Sequence, residues 1–235
     1  MSSALEKGAN RPLLFIQRCQ IRLWLAAFAS IFLFGCGSIA PKPTFDAMGY
    51  LGDDGSMRIW RKDLNHIPIA IVSSYTPYND SDSQIVTSYE YIDGSLSLID
   101  RQIMSHPQVS ERLRFDAHRV LTFNQRAFPD RKEMIDDASI DYLTYQAQQI
   151  LQMSSILRVG KVKLVQGRYQ QGLITTCSGE KAYLDLEQAQ RNWLDAQLKK
   201  HPSVSLAWLV SPRGEELLLM TERDICAQEP TIDSL

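Results

Sequence analysis

The 235-residue chain is poor in the side chains that usually carry chemistry, and each shortage excludes a class of activity. Its four cysteines include no Cys-x-x-Cys pair, which removes the common redox dithiol. Its four histidines, His66, His106, His118 and His201, stand in turn-like settings, two of them directly before proline. None forms the His-x-x-x-His spacing that presents two imidazoles on one helix face, so no metal site is expected. There is no Gly-x-Ser-x-Gly elbow, and Ser178-Gly179-Glu180 reads as a turn rather than an activated nucleophile. The Asn79–Ser83 run lacks the glycine and the distal glutamate of a calcium loop. Asp136 with Asp137, and Glu215 with Glu216, are paired only in sequence; neighbours on a strand point to opposite faces, so they support no glycosidase-like pair. No catalytic residues are expected, and basic residues are too scattered for nucleic acid to be a partner.

Long apolar runs are also missing. Leu23 to Phe34 is apolar except for Ser30, and extending it backwards meets Arg22 and Arg18. A membrane-spanning helix needs about 20 apolar residues, so the run suits an export signal better, with Lys7, Arg11, Arg18 and Arg22 as its basic front. It closes on Leu33-Phe34-Gly35-Cys36, which resembles the lipobox of a bacterial lipoprotein, although Phe34 is bulkier than usual. The expected result is cleavage before Cys36, with diacylglycerol on its sulfur and an acyl chain on the new amino group. At about 0.8 kcal/mol per buried CH₂, two or more chains give a lasting hold on the membrane. No other cofactor is expected. Gly37 and Ser38 follow the thiol, whereas lipoproteins of the inner membrane resemble one another in an Asp there. The expected address is therefore the periplasmic face of the outer membrane, in the bacterial cell envelope.

The sequence divides into a signal peptide (1–35), a lipid-anchored tether (36–44), one globular domain (45–227) and a flexible tail (228–235). Removing residues 1–35 leaves 200, and lowers Lys plus Arg from 25 to 21 and Asp plus Glu from 27 to 26. The exported part is mildly acidic, with a formal net charge of −5. Cys19 leaves with the signal and Cys36 goes to lipid. Cys177 and Cys226 remain as two thiols in an oxidising compartment, which predicts a disulfide.

Along the domain, period-two strands come first. Gly52-Asp53-Asp54-Gly55, Asp93-Gly94 and Asp116-Ala117-His118-Arg119 read as turns between them, and Asp93-Gly94 suits the positive φ of a type I′ turn. From Asp137 to Val159, Ile140, Leu143, Ala147, Ile150, Ser154 and Leu157 recur in steps of three and four, one face of a helix ending at Gly160. Lys161–Val165 and Tyr169–Thr176 read as strands around a turn at Gln166-Gly167-Arg168. Asp185 with Gln188 reads as the capping box of a second helix, and a hairpin turns at Pro212-Arg213-Gly214. The fold class is α+β, a twisted antiparallel β-meander with two helices packed on one face and a C-terminal hairpin. Trp60, Trp193 and Trp208 are expected in the core rather than along a carbohydrate or lipid groove.

The lipobox together with Gly49-Tyr50-Leu51, Ile59-Trp60-Arg61-Lys62, Thr175-Thr176-Cys177 and Leu206-Ala207-Trp208-Leu209 resembles the YjaH-type envelope lipoproteins of gammaproteobacteria. That family is a domain of unknown function, so the resemblance implies a lipid-anchored periplasmic domain and carries over no catalytic residues. The expected function is a binding or structural module of the envelope with a membrane anchor and an envelope protein among its possible partners. The alternative is a hydrolase, or a carrier of lipid or lipoprotein cargo, whose site assembles from distant residues.

Overall fold

The computed structural model describes residues 41–80 and 83–235, and residues 41–235 form one compact unit. The lipidation signal and Cys36 lie outside the described residues. Strands β1 (Thr44–Leu51), β2 (Gly55–Leu64), β3 (Ile67–Pro77), β4 (Gln84–Ile92), β5 (Ser95–Met104), β6 (Val109–Phe115), β7 (Leu121–Ala127) and β8 (Lys132–Glu133) pair in sequence order as one eight-stranded antiparallel meander. Their turns follow local chemistry. Asp93 and Gly94 have φ of 51° and 76°, and Asn65 and His66 make an equivalent turn at 53° and 66°.

Helix α1 (Asp137–Val159) lies on one face of the meander. Asp136 caps it, accepting from the Ser139 amide at 2.9 Å and the Ser139 hydroxyl at 2.7 Å. Those bonds hold the Asp136 carboxyl below the usual carboxylate range. Leu143, Ala147, Ile150 and Ser154 are the buried stripe, which packs on Met48, Ile59, Ile71, Tyr89, Ile99 and Leu113. After the helix it is Lys161, at φ 55°, and not Gly160, that adopts the left-handed turn.

The α+β class, the meander and the C-terminal hairpin are all present. The strands after α1 do not join the meander. They form a second sheet of five strands in the order β11-β10-β9-β12-β13. These are β9 (Lys163–Gln170), β10 (Leu173–Thr176), β11 (Lys181–Ala182), β12 (Val204–Ser211) and β13 (Gly214–Thr221). Each helix therefore has its own sheet, because α2 (Gln188–Leu198) packs Leu194 against Val204, Leu206 and Trp208 of the second one. The two sheets meet through Trp60, Phe45, Ala47 and Val72 from the meander and Leu164, Ala207, Leu209 and Leu218 from the second sheet. Hence β2 is buried on both faces, with Met57, Ile59 and Arg61 toward α1 and Ser56, Arg58 and Trp60 toward β9 and β12.

Two boundaries differ from the sequence reading. The capping box of α2 is Glu187 with Gln190, whose Oε1 accepts from the Glu187 amide at 2.7 Å, two residues later than Asp185 with Gln188. The turn expected at Gln166-Gly167-Arg168 sits instead at Gln171-Gly172, with φ of 51° and 82°. Gly167 is mid-strand because a neighbouring strand crowds it: a Cβ there would stand 2.6 Å from the Thr175 carbonyl oxygen and 3.0 Å from Thr176 Cα. Gly167→Ala should therefore lower stability by about 1–3 kcal/mol, read as a shift of the urea midpoint. An unchanged midpoint would mean that β10 yields freely.

Residues 228–235, expected as a flexible tail, lie against the body. Leu235 packs on the cluster between the sheets and its carbonyl accepts from Lys62 Nζ. Glu229 bonds Gln166 and Trp60, and burial pushes its carboxyl up, against the pull of those bonds and of Arg58. The physical reason is a deficit of cover over Arg58, a cation only 1% exposed between the sheets. Arg58 donates to Gln166 Oε1 and Ser74 Oγ, each at 2.7 Å, and sits 5.6 Å from the Trp60 ring centre. Burial and the Arg223 charge push its guanidinium down to about 10, with Glu229 opposing, so it remains charged at neutral pH.

Candidate functional site

Along the face of the meander that meets α1, inward residues alternate down each strand, and antiparallel register aligns them into rows across the sheet. One row is apolar: Ile71, Tyr89, Ile99 and Leu113 are direct partners in turn, and α1 covers them. The next row is polar. Ser73 faces Thr87, Thr87 faces Arg101, Arg101 faces Glu111, Glu111 faces Arg126 and Arg126 faces Glu133. Glu111 is buried and accepts from Arg126 Nε at 2.7 Å and Arg101 NH1 at 3.1 Å. Arg126 has Glu133 as a further partner at 3.7 Å, and the Glu111 bond raises its pKa. Arg101 is left sharing one carboxylate at the weaker of its two contacts.

Helix α1 does not cover the polar row completely. Its residues Tyr142, Tyr145, Gln146 and Gln149, one flank at steps of three and four, stand as a wall beside it. Ser73, Thr87, Tyr89 and Arg101 form the floor, Tyr50, Met57 and Tyr75 the opposite side, and the β1–β2 turn at Asp53 and Asp54 closes one end. The cleft, open to solvent on one side, has a volume of 480 Å³, inside the range of about 300–1,000 Å³ typical of small-molecule sites. Five of the chain's nine tyrosines line it. Gln146 Nε2 donates to the Tyr142 hydroxyl at 2.9 Å, which orients that ring. Tyr89 hydrogen-bonds with Ser73 and Thr87. Burial pushes the phenols of Tyr50, Tyr75 and Tyr89 up, and at Tyr75 the Asp54 charge adds to it, so all are neutral donors and acceptors at neutral pH.

Two other hollows are less well furnished. One of 240 Å³ lies on the opposite flank of α1, between Thr144, Gln148 and Leu151 on one side and Tyr91 and Leu96 of the β4–β5 hairpin with Phe115 of β6 on the other. Another, of 530 Å³, runs beside the disulfide along Arg168, Gln170 and Thr175 and has no aromatic wall.

The residues singled out in the sequence fall elsewhere. Cys177 and Cys226 are bonded, with Cα atoms 5.2 Å apart, tying the end of β10 to the turn after β13. His66, His106 and His118 are exposed turn residues, and His201 Nε2 lies 2.9 Å from Glu222 Oε2 at the surface. Among the described residues, no three metal-ligating side chains gather. Ser178 occupies a turn with its hydroxyl 2.8 Å from Thr176 Oγ1, and Glu215 and Glu216 are exposed on β13. Trp60 and Trp208 are core residues and Trp193 packs on the same cluster as Trp208. The tyrosines, not the tryptophans, line the cleft. A signal for this site existed in the strands themselves: Ser73, Thr87, Arg101 and Glu111 share their faces with Ile71, Tyr89, Ile99 and Leu113, interrupting a face that is otherwise apolar. Among the described residues, no helix is long and apolar enough to cross a membrane.

Comparison with known proteins agrees with the family resemblance read from the four short motifs. The family described as protein of unknown function DUF1481 matches residues 47–231. The uncharacterized protein YjaH of Escherichia coli (strain K12) is 33% identical over 231 residues, covering 97% of this chain and 97% of the relative. No solved structure matches.

Proposed function

The chain belongs to the DUF1481 family of proteins of unknown function, and we propose that it is a lipid-anchored envelope protein that binds a small ligand in the cleft between the meander and α1. The observation that carries the reading is the stretch of the polar row that lines the cleft. Ser73, Thr87 and Arg101 present hydrogen-bonding groups at the bottom of an aromatic-walled hollow, where a bound molecule would find both apolar surface and fixed polar partners. The anchor rests on Leu33-Phe34-Gly35-Cys36 and the basic residues before it, and Gly37 and Ser38 after the thiol favour the periplasmic face of the outer membrane as its address. Hydrolysis is less well supported, because the cleft gathers no histidine and its carboxylates are the adjacent Asp53 and Asp54 of one turn. A carrier of acyl chains is also less well supported: α1 covers the apolar row of this face, and an alkyl chain in the cleft would lie against Arg101 and the floor hydroxyls without offering them a hydrogen bond.

Two measurements test the two halves. Labelled palmitate should enter the wild-type protein and not Cys36→Ser; equal labelling of both refutes the anchor. A photoreactive residue in place of Tyr145 should yield adducts in growing cells, while one in place of Val159, 84% exposed on the same helix, should not. Equal yields from the two positions, or none from Tyr145, would remove the cleft as a binding site.

A further inference from the structure

We infer that the occupant of the cleft is a short, uncharged saccharide, an inference that rests on the cleft being a binding site. Three features of the hollow point to this chemistry over its competitors. The first is its walls. Tyr142 and Tyr145 are 54% and 57% exposed, on the flank of α1 that overlooks Ser73, Thr87 and Arg101. Tyrosine is a rigid, amphipathic surface with few torsions to freeze, and its ring takes the C–H face of a sugar while its hydroxyl serves the rim. An exposed pair of such rings on an otherwise polar helix flank does not serve the core.

The second feature is the kind of polar group. Gln146, Gln149, Arg101, Asp53 and Asp54 supply planar amide, guanidinium and carboxylate groups, and Ser73 and Thr87 supply hydroxyls. Donors and acceptors are mixed, which suits vicinal hydroxyls that each give and take a hydrogen bond. Charges of both signs stand around one volume, Arg101 at the floor and the two aspartates at the end. A ligand with a strong net charge of either sign would meet one of them unfavourably.

The third feature is the backbone. The floor belongs to β3, β4 and β5, each paired on both sides, so their amides and carbonyls are already engaged. A peptide, which binds sheets largely by adding a strand to a free edge, finds no main-chain partners here. Recognition falls to side chains alone.

The test uses the full-length protein in a detergent without a sugar head group. Chitotriose, maltotriose and cellotriose are offered in turn, and saturation transfer from protein to sugar protons is recorded alongside titration calorimetry. At least one trimer should bind, with saturation strongest on the protons of one ring face. Tyr142→Ala with Tyr145→Ala should weaken that binding about tenfold or more, since both side chains are exposed and the change leaves the core intact. Val159→Ala should leave it unchanged. Binding untouched by the double substitution would overturn the inference, as would no saturation of any trimer at millimolar concentration. If the trimers fail while the Tyr145 crosslinker still captures a peptide or an acyl chain in cells, the cleft remains a binding site and only the saccharide assignment falls.

Discussion

Asp63→Ala should cost about 3–5 kcal/mol, the effect of breaking a buried ion pair by removing one partner. In a domain of this size that corresponds to a fall in melting temperature of about 6–20 °C. The Asp63 side chain has no solvent exposure and accepts from Arg61 Nε at 2.7 Å, Arg61 NH2 at 3.2 Å and Arg158 NH1 at 2.7 Å. Arg61 is itself 5% exposed, and its remaining NH1 group donates to the hydroxyls of Ser154 and Ser155 at 2.9 and 2.8 Å. Arg158 also reaches Asp46 at 3.0 Å. The cluster therefore fastens the last turns of α1 to β1 and β2. Without the carboxylate, Arg61 stays buried with only neutral partners, and the C-terminal half of the helix loses its fixed seat. Replacing Arg61 and Asp63 together by methionine and leucine should cost less than the single change, because no charge is then stranded.

The same carboxylate predicts a pH dependence. Burial pulls the Asp63 pKa up, but hydrogen bonds from Arg61 and Arg158 and their charges outweigh it, so the folded value lies below the ordinary one. The folded state then binds the proton less well than the unfolded chain. Its contribution to stability is complete above the unfolded value of about 3.9 and is lost as pH falls through the lower folded value. The gap in urea midpoint between wild type and Asp63→Ala should be wide at pH 7 and narrower at pH 3. A gap that does not change would mean that Asp63 is not ionised in the native state.

What could be read from the sequence was what neighbouring residues decide. The turns at Gly52–Gly55, Asp93-Gly94 and Asp116–Arg119 follow from side chains that tolerate their backbone, and α1 from about six turns of consistent spacing between Asp137 and Val159, about 3.6 residues each. Gly167 and Gly172 mark the limit of that logic. Both are glycines between strand-like segments, and only the approach of the Thr175 carbonyl to Gly167 tells which one is the turn. The second sheet depends on β9 meeting β12, whose partners Leu164 and Leu209 are far apart in sequence and separated by α2. The cleft was harder still. Ser73, Thr87, Arg101 and Glu111 each resemble a solvent-facing strand residue taken singly, and become a row only once the registers of three hairpins are known. Arg61 and Asp63 illustrate the same limit, since their importance comes from Ser154 and Arg158 on a helix read as amphipathic from its apolar stripe alone.

Reduction of Cys177–Cys226, or its replacement by serines, should lower stability by roughly 4 kcal/mol, the loop-closure value for a ring of about 50 residues. The loss should be concentrated at the C-terminal end of the chain. Cys226 follows Ile225, which is 1% exposed in the cluster between the sheets, and precedes Glu229 and Leu235, whose contacts cover Arg58 and reach Lys62. Cys177 in turn extends the β9–β10 pairing through its amide, which donates to the Gln166 carbonyl at 2.8 Å. The bond thus closes the chain's last segment over the strand that carries Gln166, the partner of both Arg58 and Glu229. Noncovalent contacts hold the same segment, chiefly Arg168 with Asp224, but both are near half exposed, and an exposed ion pair contributes at most about 1 kcal/mol. Opening the disulfide should therefore raise hydrogen exchange first at residues 224–235 and in β10, while the amides of α1 keep their protection until global unfolding. Urea midpoints of oxidised and reduced protein, followed by exchange mass spectrometry on each, measure both effects. A midpoint shift below about 1 kcal/mol, with the C-terminal amides still protected, would show that packing of Ile225 and Leu235 alone closes the domain and that the covalent bond adds little.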